Sequence, residues 1–377
     1  MFRKITLLVA IVSTLQTITA QSSEIYFTDF PTLTPDGSTI IFSYDSDLWK
    51  MPVTGGLATK ITSMEGRETL AKVSPDGKWL TFTGTSYGNA DVFIMPLAGG
   101  EIRQLTFHEA TDRVSSWSWD SQTIYFTSDR ENRMTTYSVE VTGGTPKRLF
   151  PHYFNNIHNL VAHPQTGELF FNETWESDFF ANRKRYKGAY NPDIKSYNPT
   201  TKEYRKYTDY DGKDFLVTID KNGNAYFLSD ELNGEYNLYT FENGVKKNLT
   251  QFEQAIHRPF VNADGGTIIF QKDYQLFVYK VASGQTKKVP VTVARNNTLG
   301  KTKDFEVAGN ITLFNVSPDG KKLAFVSRGE LFVSDIKGKF PHQLNTAADG
   351  RVLQVEWLSD NETLIFNQTV GGYQNWF

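Results

Sequence analysis

The sequence predicts an all-β fold: a six-bladed β-propeller of four-stranded blades, followed by the first blades of a second propeller. A turn phrase, Ser-Pro-Asp-Gly or a degenerate copy of it, returns about every 40–50 residues, which is the period of propeller blades. Short runs rich in β-branched and aromatic residues follow each copy, and no segment shows sustained helical periodicity. Because one such unit cannot bury its own faces, function must be sought in the assembled ring.

The turn phrase has three close copies: Thr34-Pro35-Asp36-Gly37, Ser74-Pro75-Asp76-Gly77 and Ser317-Pro318-Asp319-Gly320. Degenerate copies lie at residues 118–121, 163–167, 220–223, 262–265 and 358–361. Asp before Gly commonly bonds nearby backbone amides. We therefore interpret Asp36, Asp76 and Asp319 as caps of their turns, and calcium binding as the less favoured alternative.

Each unit repeats the same order of strands. After the turn comes a buried strand, such as residues 79–83, then a polar hairpin and an alternating strand, such as residues 91–95. A Gly-rich turn, as at Gly99-Gly100, leads to a short outer strand that ends in Leu-Thr, as at residues 105–106. With a fourth strand from the linking segment, the unit is a four-stranded propeller blade.

Eight units can be counted along the chain. They begin near Pro31, Ala71, Ser115, Leu160, Val217, Pro259, Ile311 and Val352. Residues 291–304 interrupt the period with charge and Asn, which argues against one eight-bladed ring. We expect a six-bladed propeller over residues 22–292, a linker over 293–310 and an incomplete start of a second propeller over 311–377. Since the eighth unit stops within its second core strand, we expect the natural chain to continue beyond Phe377.

Composition excludes several classes of function. The 377-residue chain carries a net charge of −3, which gives no reason to expect nucleic acid or an anionic membrane as partner. It has no Cys, so neither a disulfide framework nor a thiolate metal site is available. We expect no cofactor.

The N-terminus has the layout of a secretory signal peptide. Arg3 and Lys4 form a basic start, residues 5–12 are apolar, and Ala20 is the small residue expected before the cut. Residues 1–20 are therefore predicted to be removed, and the protein to be exported to the periplasm or cell envelope. No later segment approaches the roughly 20 apolar residues of a transmembrane helix, so no membrane span is expected.

Three segments resemble the tricorn family of serine peptidases beyond the shared turn phrase. They are residues 47–52, residues 183–188 running into 191–194, and residues 317–320 followed by 328–332. The sequence departs from the family pattern at Ala189, where a second Gly is more usual, and at Lys195-Ser196, where the family more often has an aromatic residue.

The resemblance implies an N-terminal six-bladed propeller, a seven-bladed one, a PDZ-like domain and a serine-protease core, with propellers that filter access of peptides and exit of products. No residue of this chain matches a catalytic position of that family. The expected function is thus to gate or channel peptides to and from a core absent from this chain. Expected partners are peptides or unfolded polypeptide, the C-terminal PDZ and protease domains of the parent chain, and further copies in a homo-oligomer.

Two alternatives stay open at this stage. One is a stand-alone TolB-like periplasmic propeller that binds proteins or peptides, since a fold does not by itself determine function. The other is the propeller of a prolyl-oligopeptidase-type peptidase, whose catalytic half would be an α/β-hydrolase.

The densest basic run consists of Arg183, Lys184, Arg185 and Lys187, with Tyr186 inside it. One interpretation is a site for peptide carboxylates at a pore or interface, because Arg pairs bidentately with carboxylate. The alternative is a solvated hairpin between strands.

Two further patterns are weaker. Residues 84–88 match G-x-S-x-G but fall between two strands of one blade, so we predict a hairpin rather than a nucleophile elbow, which requires a strand–turn–helix. His152, His158 and His163 have no interleaved carboxylate and no metal-ligand spacing, so no metal is predicted. One of these histidines is expected at the channel mouth.

Overall fold

The computed structural model describes residues 24–131, 134–150, 152, 155–294, 305, 307, 309–347, 350–371 and 373–377. The chain divides into two units, residues 1–295 and 296–377. The predicted signal peptide, residues 1–20, and most of the predicted linker lie outside the described residues. No helix among the residues described is long and apolar enough to cross a membrane.

The first unit contains six antiparallel four-stranded sheets, which we call blades 1–6. Blade 1 consists of β1 (Asp29–Leu33), β2 (Thr39–Tyr44), β3 (Asp47–Pro52) and β4 (Gly56–Lys60). Blade 2 consists of β5 (Glu68–Val73), β6 (Trp79–Gly84), β7 (Asp91–Pro96) and β8 (Arg103–Gln104). Blade 3 consists of β9 (Asp112–Trp117), β10 (Thr123–Ser128), β11 (Thr135–Glu140) and β12 (Lys147–Arg148).

The remaining three blades repeat this order, and blade 4 carries a long insertion between its second and third strands. Blade 4 consists of β13 (His158–Ala162), β14 (Leu169–Asn172), β15 (Lys195–Tyr197) and β16 (Tyr204–Lys206). Blade 5 consists of β17 (Asp214–Ile219), β18 (Ala225–Ser229), β19 (Asn237–Glu242) and β20 (Val245–Asn248). Blade 6 consists of β21 (His257–Val261), β22 (Thr267–Lys272), β23 (Gln275–Lys280) and β24 (Gln285–Val289). A further strand, β25 (Val291–Val293), follows.

The second unit holds two sheets. The first consists of β26 (Ile311–Val316), β27 (Lys322–Ser327), β28 (Glu330–Asp335) and β29 (His342–Gln343). The second consists of β30 (Val352–Trp357), β31 (Leu364–Val370) and β32 (Tyr373–Trp376). One apolar cluster, including Ala324, Leu331 and Val355, packs between the two sheets. The all-β prediction of a six-bladed propeller followed by the first blades of a second one is confirmed.

Apolar side chains pack between blades rather than within them. The cluster around Phe82 joins blades 1 and 2, the one around Phe126 joins blades 2 and 3, and comparable clusters join every later pair. A single twisted sheet has two apolar faces and no partner of its own. This arrangement explains why the predicted starts of all eight units fall inside the innermost strand of a sheet.

The turn phrase joins the first and second strands of a blade, and its Asp caps the turn. Ser74 Oγ donates to Asp76 Oδ1 at 2.6 Å, and the Lys78 amide donates to the same oxygen at 3.1 Å. Asp36 and Asp319 receive equivalent bonds. The Thr34 hydroxyl, followed by the Ser38 amide, lowers the pKa of Asp36 because both bonds favour the ionised form. The interpretation as turn caps is therefore confirmed.

In four blades a Thr at the end of the outer strand, preceded by Leu in two of them, bonds the neighbouring third strand. Its hydroxyl accepts a hydrogen bond from a backbone amide at the start of the third strand. The pairs are Leu48 with Thr62 (2.8 Å), Val92 with Thr106 (3.0 Å), Ile194 with Thr208 (3.0 Å) and Leu238 with Thr250 (2.9 Å). The Thr side chain therefore continues the pairing of the short fourth strand with the third strand beyond the last backbone hydrogen bond between them.

The ring closes between blades 6 and 1. Strand β25 pairs in parallel with β4, so that Val291 lies opposite Gly56, and the Ile25 amide donates to the Val291 carbonyl at 3.0 Å. Val291 and Val293 pack with Ile25 in the cluster shared by blades 1 and 6. Residues 291–293 therefore continue the propeller, whereas the sequence pattern placed them where the period breaks off.

Four innermost strands begin with a buried polar residue. Asp112 accepts from Arg130 at 2.6 Å, Asp214 from Lys246 at 2.9 Å, and His158 bonds Ser177 at 2.8 Å. Glu68 accepts from the neutral Thr62 hydroxyl at 2.8 Å and has no salt bridge to another described residue. Burial, followed by the nearby Asp47 charge, raises the pKa of Glu68 to about 7.

Closure should be sensitive to charge in β25. Val291 is 2% exposed, so Val291→Asp would place an unpaired carboxylate in the cluster between blades 1 and 6. We expect a loss of about 3–5 kcal/mol in the free energy of unfolding, measured by urea denaturation. Val245→Asp, at a position 68% exposed, is the matched control and should change little. Equal effects of the two substitutions would contradict a closing role for β25.

Glu68 should make stability depend on pH near neutrality. Its folded-state pKa of about 7 lies above the ordinary value of 4.5, so the stability it contributes is full below pH 4.5 and is lost as the pH rises through 7. Glu68→Gln keeps the acceptor for Thr62 without the charge. We expect the free energy of unfolding of the variant to equal that of wild type at pH 5 and to be roughly 2 kcal/mol higher at pH 8. Paired denaturation curves at the two pH values measure this difference. A variant less stable at pH 8 would refute the assignment.

Candidate functional site

The candidate site is a central cavity of about 630 Å³ that residues from the innermost strands of all six blades line. Innermost strands of neighbouring blades contact one another around the ring, and β1 contacts both β5 and β21. A volume in this range suits a small ligand or a short peptide. The cavity follows from ring closure and from no single blade.

Backbone bulges shape the wall of the cavity. In five blades the innermost strand breaks register at a residue other than Gly with positive φ. These residues are Phe30 (φ +48°), Leu70 (+53°), Asn159 (+53°), Leu216 (+55°) and Arg258 (+54°), and all five line the cavity. Each left-handed residue costs roughly 1–2 kcal/mol, and a bulge re-aims its side chain. In blade 3 the break falls at Ser115 instead.

The sequence contains a signal for these bulges that the turn phrase and strand pattern alone do not show. Each of the five residues stands six positions before the third residue of its turn phrase, as Leu70 does before Asp76 and Arg258 before Asp264. Residue type gives no hint, because Phe, Leu and Arg rarely adopt positive φ. Only the constant offset would have located them.

The cavity is lined by more cations than carboxylates. Arg113 Nη1 lies 3.6 Å from Asp178 Oδ1, and Arg258 Nε lies 3.7 Å from Asp29 Oδ1. Lys72, half-buried in the wall, has no carboxylate within 4 Å among the described residues, and its Nζ lies 4.7 Å from the centre of the Phe260 ring. Burial, followed by the charge of Arg258, lowers the pKa of Lys72 to about 8.

The insertion of blade 4, residues 173–194, reaches the cavity. It begins with a one-turn 3-10 helix, Trp175–Ser177, and places Ser177, Asp178 and Phe179 in the lining. Phe179 is exposed and packs on Trp175 with ring centres 5.1 Å apart. The insertion therefore adds an aromatic and an acidic group to a wall that strands otherwise form.

A buried ion pair anchors the insertion to blade 5. Lys213 is fully buried, and its Nζ lies 3.0 Å from Glu176 Oε2 while donating to the Glu176 and Phe180 carbonyls at 2.8 and 2.6 Å. Tyr236, also buried, donates its hydroxyl to the insertion backbone near Ala181 at 2.9 Å. Backbone that would otherwise be free at the cavity edge is thus tied to the propeller wall.

The predicted basic run lies next to this anchor and not in the cavity lining. Arg183 pairs with Glu176 and stacks on Tyr186, 4.1 Å from the ring centre. Lys184 and Arg185 both pair with Glu235. Lys187 lies 5.7 Å from the centre of the Tyr210 ring. Three of the four cations are therefore already paired within the fold, and their binding of peptide carboxylates stays a prediction.

The three histidines are not brought together. His158 is buried, lines the cavity, and its Nδ1 donates to the Asn156 carbonyl at 2.9 Å. Burial lowers the pKa of His158. His163 Nδ1 accepts a hydrogen bond from the Gln165 backbone amide within its turn. No group of three or more potential metal ligands occurs in the part of the chain that the structure describes.

The G-x-S-x-G match is a hairpin. Ser86 lies between β6 and β7, is half-buried, and donates its hydroxyl to the Glu65 carbonyl at 2.7 Å. No helix follows it, so the nucleophile-elbow geometry is absent from this hairpin.

Removing the buried cation should release the insertion. Lys213→Met leaves Glu176 with Arg183 as its remaining cation and leaves two carbonyls without a donor. We therefore expect a loss of about 3 kcal/mol in the free energy of unfolding and faster tryptic cleavage within residues 183–187. Lys195→Met, which removes only the partly exposed pair with Glu173, is the control. The anchor role would be disproved by equal cleavage rates in the two variants.

Comparison with known proteins agrees with this architecture. A family model for the tricorn protease N-terminal beta propeller domain matches residues 26–285. No curated protein matches the chain by sequence. The crystal structure of the tricorn protease aligns with a TM-score of 0.60 and 19% identity, over 91% of this chain and 33% of that one. The chain therefore spans about a third of the tricorn protease.

Two other solved structures align with the chain at low identity. A chain of the nidogen/laminin complex aligns with a TM-score of 0.51 and 13% identity, over 67% of this chain and 96% of that one. The beta-propeller domain of the Trilobed protease from Pyrococcus furiosus aligns with a TM-score of 0.45 and 12% identity, over 86% and 99%. Since the family match covers most of the chain and its six blades, this protein belongs to the tricorn protease N-terminal beta propeller family.

Proposed function

We propose that this propeller channels peptides to and from a serine-peptidase core that lies outside this chain. The observation that carries the proposal is the central cavity, which takes its wall from every blade and is large enough for a short peptide. Membership of the tricorn propeller family supports a peptidase as the parent protein. The resemblance supports a non-catalytic role for the propeller itself.

The wall of the cavity is suited to transient contacts. It mixes apolar groups, such as Phe30, Leu70 and Phe179, with the charged groups Lys72 and Arg113. A surface of this kind contacts peptides of many sequences without a deep pocket for any one side chain. We further propose that the parent enzyme is exported, on the strength of the signal-peptide pattern in residues 1–20.

Blocking the cavity tests this function. The chain has no Cys, so Ser115→Cys in the cavity wall, made in the full-length parent protein, gives this region one thiol for a bulky maleimide. We expect the modified protein to turn over peptides several-fold more slowly than the unmodified variant. The readout is kcat/KM for peptides of increasing length.

Ser283→Cys, in an exposed turn of blade 6, is the matched control. Labelling it with the same maleimide should leave peptide turnover unchanged. Unchanged turnover after complete labelling at Ser115→Cys would refute passage of peptides through the cavity. Any reaction of the reagent elsewhere in the parent protein is measured by labelling the protein without either substitution.

A further inference from the structure

The charges around one side of the cavity do not balance. Three half-buried cations, Lys72, Arg113 and Arg258, lie near two carboxylates, and each carboxylate already lies beside an arginine. Lys72 is the cation left over. Like charges held together away from water repel one another unless an anion lies between them.

Lys72 and Arg258 come from blades 2 and 6, which lie on opposite sides of blade 1. Both belong to innermost strands that contact β1, and both side chains line the cavity. After burial, the charge of Arg258 is the second cause of the lowered pKa of Lys72, so the two cations are near enough to interact. Arg258 lies 4.3 Å from the centre of the Phe30 ring, and Lys72 lies 4.7 Å from that of Phe260. Each of the two cations is therefore held over an aromatic ring of the cavity wall.

The bulge in blade 6 sets the position of the guanidinium. Arg258 is the left-handed residue of β21, at φ +54°, and is held there by the register break between His257 and Phe260. Its Nε lies 3.7 Å from Asp29 Oδ1, which is longer than a hydrogen bond. A guanidinium with this loose partner keeps donors for a bidentate carboxylate.

We propose that Lys72 and Arg258 form a binding site for a carboxylate group of a peptide inside the central cavity. Phe30 and Phe260 contact the apolar part of the peptide next to that carboxylate. The carboxylate comes from an Asp or Glu side chain or from the C-terminus of the peptide. The inference rests on the proposed function, since it assigns a preference to the same cavity. At pH 7 Lys72 is mostly protonated, because its pKa is about 8.

Three peptides of one length separate the sources of the carboxylate. Acetyl-Ala-Glu-Ala-amide carries a side-chain carboxylate, acetyl-Ala-Gln-Ala with a free C-terminus carries a terminal one, and acetyl-Ala-Gln-Ala-amide carries none. Each is titrated into the full chain at pH 7 by calorimetry. We expect at least one carboxylate peptide to bind about tenfold more tightly than the neutral one. Equal affinities of all three would overturn the proposal.

Substitutions then locate the site. Lys72→Met and Arg258→Gln should each reduce the affinity for the carboxylate peptide to that for the neutral peptide, whereas Lys72→Arg should retain most of the difference. Lys50→Met, on the exposed side of β3, is the matched control. A carboxylate preference that survives both Lys72→Met and Arg258→Gln would overturn the assignment. Circular dichroism and the urea midpoint show that each variant is folded.

The calorimetry and the blocked-cavity experiment can give opposite outcomes, so they test the two proposals separately. Calorimetry measures binding by the chain alone, whereas the blocked-cavity experiment measures turnover by the parent enzyme. Slower turnover after blocking, with no carboxylate preference in calorimetry, retains the channel and rejects the Lys72–Arg258 site. A carboxylate preference with turnover unchanged by blocking retains the site and rejects the channel.

Discussion

Packing between blades is the interaction on which the rest of this structure depends. Every main apolar cluster of the first unit lies between two neighbouring sheets, so each blade is stable only when the ring is complete. Closure is therefore the decisive step, and it uses three residues after blade 6, Val291–Val293, beside the outer strand of blade 1. The chain end of the propeller is thus held both by a parallel ladder and by apolar packing against Ile25.

The cavity is a consequence of that closure and of strain distributed along its wall. Five innermost strands place a residue other than Gly in the left-handed region, including Phe30 and Arg258, and each of these side chains belongs to the lining. Such conformations persist only where the surrounding structure over-determines them, and they often mark functional positions. Here the surrounding structure is a pair of neighbouring blades on either side of each bulge.

The insertion of blade 4 shows how a polar segment is held at the edge of that cavity. Lys213 and Glu176 are both buried and pair with each other, and Lys213 also donates to two carbonyls of the insertion. Isolated buried charges are strongly unfavourable, so this pair supports one position of the insertion over others. Arg183, Lys184 and Arg185 then pair at the periphery of the same anchor. In the sequence these residues look like a free basic patch. In the structure Glu176 and Glu235 largely neutralise them, and Glu235 is about 50 positions away along the chain.

The sequence by itself determined the repeat, the blade count and the turn chemistry, because each depends on residues within one unit, as with Ser74 and Asp76. It also indicated the family, through local segments and the restart at Ser317. Tertiary structure alone decided that Val291–Val293 close the ring, that Lys72 of blade 2 reaches Phe260 of blade 6, and that Lys213 lies beneath the insertion. These contacts join residues up to hundreds of positions apart, and only the closed ring brings them within reach of one another. No local pattern encodes such distances, so the cavity and its charges could not be predicted from the chain alone.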